Sequence, residues 1–110
     1  MNDLIKKKCE ACSIDTPPMK KEVIMEHLAK LHEGWSLVDG RQISRDFTFT
    51  NFNEAISFVN KVADLAEEEG HHPDIYVHNF RKVLIDLMTH KINGLSLNDF
   101  IMAAKIDELR

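Results

Sequence analysis

The spacing of hydrophobic positions along this chain changes several times, and each change marks an element. From Thr16-Pro17 onward Ile24, Leu28 and Leu31 recur at helical spacing, and Glu33-Gly34 closes the run. A capping threonine followed by proline at the first helical position predicts a helix that starts there. Trp35–Val38 and Gln42–Thr50 then flank Asp39-Gly40, a dipeptide that favours a two-residue hairpin turn. In the second of these strands Ile43, Phe47 and Phe49 fall on one face, and Ser44, Asp46 and Thr48 on the other.

Helical spacing returns after Asn51 and Asn53, either of which can cap a long helix that runs to Gly70. Its expected core stripe is Phe52, Ala55, Ile56, Val59, Val62, Ala63 and Ala66. Phe58 and Leu65 widen the apolar face to about half the circumference, more than the roughly 100° that covers one sheet. Such a helix is either deeply seated or partly covered by another copy of the chain. Beyond Gly70 the period falls to two. Residues 74–80 and Lys82–Thr89 are the predicted third and fourth strands, with Val83, Ile85 and Leu87 on one face. Asn93-Gly94 predicts a turn, and Ser96 opens a last helix whose apolar side is Leu97, Phe100, Ile101 and Ala104. The order α-β-β-α-β-β-α predicts an α+β fold, one largely antiparallel sheet with helices packed on one face.

A chain of 110 residues builds one domain, read as an N-terminal arm over 1–15 and a single folded unit over 16–110. The formal net charge of −4 argues against a general nucleic-acid binder, which needs a basic patch to neutralise phosphates. No apolar run reaches the length of a membrane span, and Met1–Lys8 lacks the apolar core of a signal peptide. The expected compartment is the cytoplasm. Cys9-Glu10-Ala11-Cys12 is half a zinc site, and His27 and His32 are poorly spaced to complete it. The pair also lacks the strand before and helix after that a redox Cys-x-x-Cys requires.

The chemistry concentrates elsewhere. His71-His72-Pro73 follows the long helix directly, and Thr89-His90 ends the predicted fourth strand. Adjacent histidines have no obvious packing use, whereas imidazoles gathered in one pocket can both donate and accept protons near neutrality. Glu67, Glu68 and Glu69 crowd the C-terminal turn of the helix, the end whose dipole favours cations. A carboxylate beside an imidazole stabilises its protonated form. Glu67, four residues before His71, can face back towards the histidines, while Glu68 and Glu69 read as a solvated turn. Asp99 has a structural reading of its own, because Ser96-Leu97-Asn98-Asp99 resembles a capping box. His27, His32 and His78 read as surface residues.

Glu67-x-x-x-His71-His72-Pro73-Asp74, then Thr89-His90, then Gly94-Leu95-Ser96 and Asp99, resembles the pterin-4a-carbinolamine dehydratases. Trp35, Phe47-Thr48-Phe49, the Phe52/Ala55/Phe58 helix and the run from Asn98 to Lys105 fit the same family, and Cys9–Cys12 looks like its bacterial members. The resemblance implies a four-stranded antiparallel sheet with three helices on one side. It implies loss of water from 4a-hydroxytetrahydropterin to give quinonoid dihydropterin, in tetrahydropterin recycling, with no metal and no organic cofactor. Carried over by motif, His71 and His90 are the acid/base pair and His72 holds and orients the pterin. Glu67, Pro73, Asp74, Thr89 and Asp99 complete the expected substrate-binding set. Ile75 stands where many members carry Trp, with Tyr76 as the neighbouring aromatic. The expected assembly is a homodimer through sheet edges or a homotetramer through helices, with Phe58 and Leu65 near the helix contact. Animal members also serve as dimerisation cofactors of a transcription factor, so a regulatory protein partner is the alternative reading.

Overall fold

The computed structural model describes residues 3–10 and 16–110. Helix α1 spans Lys21–Leu28, β1 Ser36–Val38, β2 Gln42–Thr48, α2 Phe52–Glu69, β3 Asp74–His78, β4 Lys82–Leu87 and α3 Leu97–Leu109. Short 3-10 turns cover Asp3–Lys6 and His90–Ile92. The four strands form one antiparallel sheet in the order β1-β2-β4-β3, and the three α-helices complete the expected α+β fold.

Period two sets the core. In the central pair Ile43, Arg45 and Phe47 lie opposite Leu87, Ile85 and Val83, and all six are buried. The alternate pairs, Ser44 with Asp86 and Thr48 with Lys82, face away from the helices. Phe58 of α2 reaches down between the rings of Phe47, 4.7 Å away, and Phe49, 4.9 Å away. Burying side chains of this size contributes about 1.5–3 kcal/mol each. Arg45 is the polar exception on this inward face. Its guanidinium lies 4.2 Å over the Phe47 ring and pairs with Asp107 at 2.6 Å, while the Trp35 indole N–H donates to the same carboxylate at 3.0 Å. Burial pushes Asp107 above the usual carboxylate value, and Trp35 and Arg45 offset only part of that rise.

Several boundaries differ from the sequence expectation. Helix α1 starts at Lys21 rather than Pro17, because a residue that precedes proline is held out of the helical region and Pro17 precedes Pro18. The segment instead runs extended, and the Met19 N–H donates to the Leu95 carbonyl at 2.9 Å. The Asp39-Gly40 hairpin carries one more residue than expected, since Val38 pairs with Gln42. Asp39 and Gly40 take the positive-φ positions and Arg41 is the added residue. Strand β3 stops at His78 because Asn79 and Phe80 both turn left-handed, with φ of 47° and 49°. Strand β4 stops at Leu87 rather than Thr89. Thr89 instead pairs with Gly94 across a small loop that contains the 3-10 turn, and Asn93 takes the left-handed position that the Asn93-Gly94 signal predicts.

In α2 the buried line is Ala55, Phe58, Val62, Ala66 and Glu69, so Phe58 belongs to the core of its own chain and not to a surplus edge. Leu65 is half-buried against that core, while Phe52 and Ala63 are exposed. The helix is as apolar as its pattern suggests, but it is rotated so that Phe52, Ile56, Val59 and Ala63 form the less covered stripe. Helix α3 is buried on nearly every side, since the Asp3–Lys6 turn with its buried Leu4 packs on it in addition to α2 and β4. His27 is not a free surface residue. Its ring lies 5.1 Å from Phe100, its Nδ1 is buried without a partner among the described residues, and burial lowers its pKa.

Candidate active site

Helix α2 ends at Gly70, whose φ of 67° turns the chain out of the helix while its N–H still bonds the Ala66 carbonyl at 2.9 Å. A left-handed glycine is the usual way to stop a helix sharply. Here it delivers His71 and His72 to the space between α2, the end of β4 and the start of α3.

The centre of the arrangement is Asp99, which is fully buried in the first turn of α3. Its Oδ1 lies 2.7 Å from Nε2 of His71. Its Oδ2 accepts the Thr89 hydroxyl at 2.8 Å and the Ser96 N–H at 3.0 Å. A carboxylate only accepts, so the Thr89 proton is committed to it, and the Ser96 hydroxyl, 2.7 Å from the Thr89 oxygen, must be the donor in that contact. The same logic places a proton on Nε2 of His71. Neutral His71 therefore keeps a lone pair on Nδ1, and protonated His71 carries an N–H there. Asp99 thus acts both as the reach-back half of the capping box and as the orienter of an imidazole.

His72 sits in a different environment. Its Nε2 lies 2.5 Å from the Glu67 carboxylate in an exposed pair, where screening by water keeps the energetic value small. His90, also exposed, opens the 3-10 turn after β4. His71, His72 and His90 line one cleft of about 370 Å³ together with Glu10, Gly70, Met88, Thr89, Lys91 and Asn98. Pro73 and Asp74, at the entry to β3, do not line it, and neither does Glu67. Ile75 packs against the core, and Tyr76, half-exposed beside Leu84 on the outer sheet face, does not line it either.

Two residues of the cleft, Glu10 and Asn98, carried no local signal. Residues 9–10 dock on the end of α2 and the start of α3, with the Cys9 N–H donating to Glu69 at 2.9 Å and the Glu10 N–H to the Asn98 side chain at 3.0 Å. The Asn98 amide returns a 2.5 Å bond to the Glu10 carbonyl. Glu69 is accordingly not part of a solvated turn. It is buried and pairs with Lys105 at 2.8 Å. Burial opposes its charge, but the Cys9 N–H and the Lys105 ammonium outweigh that and hold its carboxyl below the usual value. Burial, with the Glu69 charge beside it, pushes the Cys9 thiol up to about 12, which favours the protonated form at neutral pH. Cys12 lies outside the described residues. Among the described residues no group of three or more His, Cys, Asp or Glu side chains is arranged to hold a metal ion.

The fold and this histidine cleft define a small α+β protein, and the comparisons with known proteins name its family. The family model described as Pterin 4 alpha carbinolamine dehydratase matches residues 17–109. The chain is 47% identical over 108 residues to a protein of Alkaliphilus metalliredigens, covering 98% of this chain and 96% of the relative. It is 46% identical over 109 residues to one of Rubrobacter xylanophilus, covering 99% and 100%. Both relatives bear the name pterin-4-alpha-carbinolamine dehydratase as a provisional assignment. A crystal structure described as a transcriptional coactivator/pterin dehydratase from Brucella melitensis superposes with a TM-score of 0.77 at 34% identity, covering 84% of this chain and 97% of that one. A second, described as a pterin dehydratase-like RuBisCO assembly factor of the alpha-carboxysome, gives 0.60 at 25% identity, covering 71% and 90%. The chain belongs to the pterin-4a-carbinolamine dehydratase family.

Proposed function

We propose that the protein removes water from 4a-hydroxytetrahydropterin to give quinonoid dihydropterin, by histidine general acid–base catalysis and as a step in tetrahydropterin recycling. The observation that carries this reading is the cleft itself, in which three imidazoles meet and one is fixed by a buried carboxylate. Breaking the C4a–O bond requires a proton on the leaving oxygen, and a second group must accept the proton lost from the ring nitrogen as the carbon–nitrogen double bond forms. His71 and His90 supply these two roles, and His72 orients the ring. The ring nitrogen itself expels the leaving group, so positioned proton transfer is the help the reaction needs, worth about 10²–10⁴-fold per group.

The test is stopped-flow formation of quinonoid dihydropterin from the 4a-hydroxy compound. His71→Ala or His90→Ala is expected to slow turnover by about 10²-fold, roughly 3 kcal/mol of barrier. His72→Ala is expected to act mainly on KM. Unchanged rates in both of the first two variants would place the acid and base elsewhere.

The proposal includes a homo-oligomer. The stripe of Phe52, Ile56, Val59 and Ala63 on α2 is apolar and incompletely covered, and exposed apolar patches on small domains mark contacts. Strands β1 and β3 are unpaired sheet edges that can accept another copy. A regulatory or assembly role remains the second reading, favoured by the same uncovered stripe and by the descriptions of the two similar structures.

A further inference from the structure

We infer that Glu10, carried on the docked N-terminal segment, is a substrate-binding residue of the cleft and takes the donor edge of a 2-amino-4-oxopteridine ring. The inference rests on the proposed pterin chemistry and adds a residue and a recognition rule to it.

Among the described residues that line the cleft, Glu10 is the one carboxylate. Glu67 points away to His72, and Asp99 sits behind His71 with both of its oxygens engaged. The Glu10 carboxylate has no partner among the described residues, and its side chain is exposed. Its backbone, by contrast, is held on both sides. The Glu10 N–H donates to Asn98 Oδ1 at 3.0 Å and the Glu10 carbonyl accepts from Asn98 Nδ2 at 2.5 Å, a two-bond clamp onto a buried residue of α3. The preceding Cys9 N–H is anchored to Glu69 at 2.9 Å, and the Cys9 thiol donates to the Asn98 carbonyl at 3.6 Å. The segment therefore holds a carboxylate-bearing residue, from a fixed backbone, in the wall of the cleft that the three imidazoles also line.

A lining that combines one carboxylate with three imidazoles matches a pteridine whose two edges differ in the same way. The reacting carbon and its hydroxyl need proton donors and acceptors, which the histidines provide. The pyrimidinone side carries the ring N3–H and the 2-amino group, two parallel donors that suit the two oxygens of one carboxylate. Such a paired, charge-assisted contact gives orientation as well as affinity. A ring that carries oxygen in place of the 2-amino group sets an acceptor against the carboxylate and is rejected.

The full chain and its Glu10→Gln variant are titrated by fluorescence with pterin (2-amino-4-oxopteridine) and with lumazine (2,4-dioxopteridine). The wild type is expected to prefer pterin. Glu10→Gln is expected to weaken pterin binding by about 10-fold or more and lumazine binding far less, because the amide has only one acceptor. The docking bonds use backbone atoms of Glu10, so a purely structural role leaves the preference of the variant at the wild-type value. A selective loss smaller than about 10-fold, or an equal loss for both ligands, overturns the inference while leaving the dehydratase reading intact. A wild-type chain that binds neither ring overturns the reading and the inference together. Asn98→Ala, which releases the clamp but leaves the carboxylate, provides the second variant and is expected to lose the preference as well.

Discussion

Replacing Asp99 with Asn changes one atom at the centre of the site and, by the bonding described above, forces a defined rearrangement. In the wild type Oδ1 faces Nε2 of His71 at 2.7 Å, and Oδ2 faces the Ser96 N–H at 3.0 Å and the Thr89 hydroxyl at 2.8 Å. The Ser96 N–H can only donate, so the single oxygen of Asn must stay on that side. The new amide N–H then points at Nε2 of His71, which has to accept, and the neutral imidazole moves its proton to Nδ1. Under the proposed mechanism, with His71 as the base of the pair, that nitrogen can no longer take a proton from the substrate. The opposite amide orientation preserves the His71 tautomer only by setting two donors against each other in a buried site, at about 1–3 kcal/mol for the unsatisfied group. A wrong tautomer in a general-base histidine costs about 10²–10⁴-fold in rate, or roughly 3–5 kcal/mol of barrier. The loss of charge-assisted bonds lowers stability by about 1.5–3 kcal/mol, within the 5–15 kcal/mol of an ordinary domain, so the variant remains folded. The assay is the stopped-flow dehydration rate, paired with ¹⁵N chemical shifts of the His71 ring. A folded Asp99→Asn protein within about threefold of the wild-type rate would refute the argument. So would a slow variant whose His71 still carries its proton on Nε2, since the loss would then have another cause.

Three further outcomes follow from the geometry. Gly70→Ala meets no atom within 4 Å, so its effect is backbone strain alone at φ +67°, about 1–2 kcal/mol, and thermal melting is expected to show a Tm lower by roughly 5 °C or more. Glu69 has its folded pKa lowered, so its contribution is present above the ordinary carboxylate value and is lost as pH falls through the lower folded value. Urea denaturation across that acid range is expected to show the gap between wild type and Glu69→Gln closing as pH falls, and a constant gap would contradict the assignment. For the oligomer, light scattering at micromolar concentration is expected to give a multiple of the subunit mass, and Ile56→Glu to reduce it while pterin turnover persists. A monomeric wild type removes the proposed contact.

Much of the fold was legible because two periods dominate it. Alternation puts Ile43 and Phe47 on one face of their strand and Val83, Ile85 and Leu87 on one face of theirs, the faces that the structure buries, and Gly70 and Asn93 stand where the backbone is left-handed. The failures share a physical cause, since they depend on partners distant in sequence. Arg45 alternates inward like a core residue, and only Asp107, Trp35 and the Phe47 ring make its burial tolerable. The apolar arc of α2 was read at its true width, but a helical wheel does not say which edge the sheet covers. Phe58 was therefore assigned to the wrong side. Thr16-Pro17 promised a helix start locally, while the extended path of the chain answers to a carbonyl at Leu95.

The site divides along the same line. The histidines announced themselves by type and spacing, whereas Glu10 and Asn98 depend on contacts that span 88 positions and follow no period. Asp99 is the instructive middle case, because its local pattern was read correctly and still concealed half of its role. A capping box explains a carboxylate at the third helical position, and that explanation uses only one of the two oxygens. The other is free to act at a distance, and here it holds His71. Starting α3 and orienting the imidazole are consequently one structural event. The bond that caps the first turn of the helix also fixes the carboxylate, and a fixed carboxylate leaves neutral His71 one tautomer. A helix start so placed gives a small protein a rigid support for His71 without any additional buried charge.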